Sequence, residues 1–72
     1  MKMIGLRLIR KEKKLSQLKV ALDLSISREA LSHYETGKRS PDTDMLMQLS
    51  DYFDVSIDYL ISGKEFQSKK KK

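Results

Sequence analysis

The chain has 72 residues, a net charge of +5, no cysteine and one histidine, which is material for one small domain. The absence of cysteine excludes a disulfide framework, a thiol nucleophile and a Cys-based zinc site. The lone His33 has no partner at metal-ligand spacing, and no apolar run reaches membrane-spanning length.

The first ten residues interrupt their apolar side chains with Lys2, Arg7 and Arg10, which makes a poor secretory leader. Residues 2–13 read as a first helix. Leu6 and Ile9 face inward, and Met3 or Ile4 extends that stripe. Arg7, Arg10, Lys11, Lys13 and Lys14 leave the remaining surface basic, and Leu8 is apolar where a polar residue is expected.

Ser16 is placed to cap a second helix over 17–24. Val20, Ala21 and Leu24 give that helix an apolar face. Ser25 and Ile26 make a turn, and Ser27 caps a third helix over 28–35, with Leu31 and Tyr34 on its inner side. Glu29, Ser32 and His33 point away from that side, and Arg28 stands in the exposed first turn. Gly37 stops the helix, since glycine takes a left-handed backbone angle without a Cβ clash. Two short helices at a steep angle, the second polar outside, suit insertion into a DNA major groove.

Beyond the 36–42 loop and Pro41, a fourth helix is predicted over 43–53, with Leu46, Leu49 and Phe53 inward and Asp42 or Thr43 at its cap. Asp44 in its first turn favours the helix dipole. Val55 plugs the core, Ser56 caps a fifth helix over 57–61, and Gly63 ends it. Residues 1–62 are expected to form the domain. Residues 63–72, ending in Lys69–Lys72 and with almost no apolar content from Gln67 on, are expected to be a disordered basic tail.

Charge follows the same order. Residues 1–14 carry six basic residues and one acid, 15–39 four and three, and 40–63 five aspartates with no Lys or Arg. A DNA-facing first half and an acidic far side produce this pattern. With no Cys, one His, no P-loop and no metal motif, the sequence predicts no enzyme, no cofactor, no metal and no small-molecule ligand.

The run Leu15-Ser16-Gln17, Val20-Ala21, Leu24-Ser25-Ile26-Ser27-Arg28, Leu31-Ser32, Tyr34-Glu35-Thr36-Gly37-Lys38-Arg39 and Pro41 resembles the phage-repressor (Cro/repressor, or XRE) helix-turn-helix family. Leu46, Leu49 and Phe53 through Leu60 resemble its closing half, so the likeness covers residues 3–61. It implies an all-α, five-helix, lambda-repressor-like DNA-binding domain: a transcriptional regulator, a repressor in the first place, in the cytoplasm of a bacterium or phage-infected cell. Arg28, Glu29, Ser32 and His33 are the base-reading candidates. Arginine donates to guanine O6 and N7, and a carboxylate accepts from cytosine N4. Singly each is an ordinary solvated helix residue; their shared face makes them a set.

The resemblance further implies phosphate contacts from Arg10, Gln17, Thr36, Gly37, Lys38 and Arg39, an Arg10–Glu35 ion pair, and a homodimer on duplex DNA through Val55, Ile57, Tyr59 and Ile61. This chain departs from the family by placing Lys14 and Ser25 where glycine is common, and Leu18 and Leu22 where polar residues are usual. Those leucines motivate the alternative of a protein-interaction module, of antitoxin or anti-repressor type, on the same fold.

Overall fold

The side chains that open each helix account for most of the architecture. In the computed structural model, which describes residues 1–64, the helices are α1 (Ile4–Glu12), α2 (Gln17–Leu24), α3 (Arg28–Thr36), α4 (Thr43–Phe53) and α5 (Ile57–Ser62). Ser16, Ser27, Asp42 and Ser56 each accept a hydrogen bond from the backbone N–H three residues on, at 2.9–3.0 Å. Each bond satisfies an amide that has no partner inside its helix, and is worth about 1 kcal/mol.

Helix α1 starts differently, and later than the predicted residue 2. Met3 has no capping side chain; it is fully buried, and its N–H points to the Tyr34 carbonyl at 3.4 Å. Met3 therefore extends the inner stripe, while Ile4 is half exposed. Lys14 takes φ 60 and Ser25 φ 60, both left-handed. Without glycine, these turns still form, at a backbone cost of about 1 kcal/mol each. Asp54 (φ 56), Gly37 and Gly63 close α4, α3 and α5 in the same way.

The core gathers Met3, Leu6 and Ile9 from α1, Val20 from α2, Leu31 and Tyr34 from α3, Leu49 and Phe53 from α4, and Leu60 from α5. Leu46 and Val55 are half-buried against it. Helix α1 lies against α5 so closely that a Cβ on Gly5 would sit 1.7 Å from the Tyr59 carbonyl oxygen. Nothing in the sequence singled out Gly5. Residues 65–72, which include most of the expected basic tail, lie outside the described residues.

A polar brace joins α2 to α4. The Tyr52 hydroxyl donates to Asp23 Oδ2 at 2.5 Å, and Lys19 donates to Asp23 Oδ1 at 3.2 Å. Burial, and then the Asp23 bond, push the Tyr52 phenol from 10.0 up to about 12. The Tyr52 bond, above all, holds Asp23 below the usual carboxylate value. A raised phenol stabilises the fold fully below about pH 10, where the unfolded chain also keeps its proton. That stabilisation is lost as pH rises through about 12.

Two outcomes are expected. Gly5→Ala should cost about 3 kcal/mol or more, read by urea unfolding, because backbone must move to admit the methyl group; an unchanged midpoint would contradict the close approach of α1 and α5. The melting-temperature gap between the wild type and Tyr52→Phe should be constant near neutral pH and close between pH 10 and about 12. A gap that persists above pH 12 would mean that it does not come from the protonated phenol.

Candidate nucleic-acid interface

Three residues, Ser25, Ile26 and Ser27, set the angle between α2 and α3. Ser25 is left-handed, the Ile26 N–H donates to the Ala21 carbonyl at 3.0 Å, and Ile26 packs on the core. Ser27 then starts α3. Helix α3 buries Ala30, Leu31, Tyr34 and Glu35. Arg28 and Glu29 are left exposed, and Ser32 and His33 half-buried, along its outer side.

A line of polar contacts runs from the interior to that face. Arg10 Nε donates to Glu35 Oε2 at 2.6 Å and Nη2 to Oε1 at 3.2 Å, while Nη1 donates to the Leu15 carbonyl at 2.9 Å. Both residues are buried. Gln17 Nε2 donates to Glu35 Oε1 at 3.0 Å, and Gln17 Oε1 faces Arg28 Nη1 at 3.4 Å. The pair thus fixes the Gln17 amide, and Gln17 presents an acceptor to the first residue of α3.

This geometry reassigns two expected phosphate contacts. Arg10 is 8 % exposed with all three guanidinium nitrogens engaged inside the protein. Three of its five N–H donors are spent inside the protein and its charge is answered by Glu35, which sets it in the ion pair and away from a phosphate. The Gly37 and Arg39 N–H groups both point to the His33 carbonyl, at 2.9 and 3.3 Å. Gly37 (φ 90) is therefore a helix cap whose amide is already used and does not face a phosphate. In the loop, the Lys38 and Arg39 side chains are exposed, and the Thr36 hydroxyl donates to the His33 carbonyl at 3.4 Å.

Two base-reading candidates lie close together: His33 Nε2 is 3.9 Å from Glu29 Oε2, and His33 Nδ1 is buried with no hydrogen-bond partner. Glu29 is the exposed carboxylate of this face, its side chain 80 % accessible. Leu18 and Leu22 are 55 % and 68 % exposed on the outer side of α2. Val55, Tyr59 and Ile61 are half-buried and pack on the core, so part of their apolar surface is already covered; Ile57 is half-buried too, beside that cluster and outside it. Among the described residues no three metal-ligating side chains cluster, and no helix is long and apolar enough to cross a membrane.

Two short helices held by a tight turn, with a polar outer face on the second, define the helix-turn-helix class. The chain belongs to the helix-turn-helix family, whose model matches residues 6–60. It is 45 % identical over 72 residues to the uncharacterized HTH-type transcriptional regulator YqaE of Bacillus subtilis (strain 168), covering 94 % of this chain and 62 % of that one. It is 42 % identical over 60 residues to the HTH-type transcriptional activator BcrR of Enterococcus faecalis, covering 83 % of this chain and 29 % of that one. The fold is similar to the S. venezulae BldD DNA-binding domain, with a TM-score of 0.69 and 27 % identity, over 81 % of this chain and 87 % of that domain. The chain thus spans less than two thirds of the length of these two regulators.

Glu35→Ala leaves the Arg10 charge buried without a counter-ion. It should lower stability by about 3–5 kcal/mol in chemical denaturation, whereas replacing the pair together, Arg10→Met with Glu35→Leu, should recover at least half of that loss. Equal stability of Glu35→Ala and the wild type would show that the pair is not dehydrated.

Proposed function

We propose that the chain is a sequence-specific regulator of transcription that reads duplex DNA with α3 in the major groove. The observation that carries this reading is the outer face of α3, where Arg28 meets the acceptor of a glutamine fixed by a buried ion pair. Arg28 donates to guanine O6 and N7, Glu29 accepts from cytosine N4, and Ser32 and His33 serve neighbouring base edges or phosphates. Gln17 at the start of α2, Thr36, and the Lys38 and Arg39 side chains hold phosphates and set register.

Val55, Ile57, Tyr59 and Ile61 are the first choice for a two-fold contact between copies, which would place two α3 helices about 34 Å apart on successive turns of DNA. The protein would work in the bacterial or phage-infected cytoplasm, where its target lies. Repression is the first expectation, by occlusion of a promoter. A relative named as an activator fits the same chemistry, since operator position decides the sign.

Binding to a pool of randomised duplexes at near-physiological salt tests this. A short palindromic site should be retained, and Arg28→Ala should lose discrimination at one base position by about 1–3 kcal/mol. Uniform weakening across all sequences would assign Arg28 to a phosphate. Retention of no sequence would favour a protein-interaction module of antitoxin or anti-repressor type, to which the exposure of Leu18 and Leu22 on α2 lends support.

A further inference from the structure

With Arg10 tied to Glu35, other basic side chains of α1 face the open groove beside it. An open groove of about 770 Å³ runs beside α1, lined by Lys2, Arg7 and Lys11 and opening onto Gln17 and Thr36. The carboxylate on its wall is Glu35, which Arg10 already neutralises at 2.6 Å. Among the described residues, Lys2, Arg7 and Lys11 enter no ion pair. Arg7 and Lys11 stand four apart on one helix, so their like charges repel. An anion in the groove relieves that repulsion. Ile4 and Leu8, 49 % and 48 % exposed, form part of the same lining, and low-dielectric walls concentrate the field of the cations beside them.

We propose that Arg7 and Lys11, with Lys2 at the rim, form a second phosphate station that holds the DNA strand beyond Gln17 and Thr36. The inference rests on the DNA-binding reading and names the α1 residues that grip the backbone in place of Arg10. A strand whose phosphate reaches Gln17 and Thr36 carries its neighbouring phosphates along the groove. The contact is with phosphate alone, so it adds affinity without adding base preference.

The test is the salt dependence of binding to the retained duplex. Each phosphate contact contributes about 0.9 to the slope of log affinity against log salt. The double variant Arg7→Ala with Lys11→Ala should therefore lower the slope by about two. Over an about fourfold rise in salt, the wild type should lose about tenfold more affinity than the variant. Both should retain the same sequence from the random pool. Lys13→Ala with Lys14→Asn removes equal charge from the same segment outside the groove, and should leave the slope near the wild-type value. An unchanged slope in the first variant, an equal loss in the second, or a changed sequence preference would each overturn the assignment. A wild-type protein with no salt-dependent duplex binding would overturn the DNA-binding reading along with it.

Discussion

The buried contact between Arg10 and Glu35 is the constraint on which the rest of the candidate interface depends. Burying two opposite charges costs about what their attraction returns, so such a pair does little for net stability. Its value here is positional. Arg10 comes from α1 and Glu35 from the last turn of α3, and Arg10 also holds the Leu15 carbonyl at the approach to α2. Three segments are thus fixed to one guanidinium. Glu35 spends a second lone pair on Gln17, and Gln17 turns its oxygen to Arg28. The orientation of an exposed side chain is traced, bond by bond, to a charge in the interior.

The distribution of carboxylates fits the same arrangement. In residues 15–39, Asp23 is tied to Tyr52 and Lys19, and Glu35 to Arg10. Glu29 alone is left as an open carboxylate beside Arg28 and His33. A lone carboxylate near phosphates is repelled unless a base donor meets it, so it disfavours wrong sites as much as it favours a right one. Four of the five aspartates of 40–63 have local uses: Asp42 caps α4, Asp44 and Asp58 stand in the first turns of α4 and α5, and Asp54 closes α4 in a left-handed turn. These roles put the aspartates on α4 and α5, away from α3, whose outer face carries Glu29 as its one open carboxylate.

Helix positions were legible because their signals are local. Ser16, Ser27, Asp42 and Ser56 are short polar side chains set just before apolar periodicity, and each caps the helix that its position predicts. Gly37 and Gly63 end α3 and α5 for an equally local reason, their positive φ. What escaped depends on distance in the chain. The Gly5 approach to Tyr59 and the Tyr52 bond to Asp23 join residues with no shared motif. Lys14 adopts the left-handed turn that glycine usually supplies, and the turn is closed by the Lys14 and Leu15 N–H groups donating to the Lys11 and Arg10 carbonyls. In the candidate site, the outward side of α3 followed from periodicity, but the engagement of every Arg10 nitrogen, and of the Gly37 amide, was a matter of three-dimensional accounting that spacing does not contain.

Amide chemical-shift mapping during titration with a duplex is the most direct measurement of the central claim, that α3 and its buttress meet DNA. The account predicts that the largest changes fall on Gln17, on 28–33 and on 36–39. Largest changes at Leu18 and Leu22, or at Asp42, Asp44 and Asp51, with α3 silent, would contradict it.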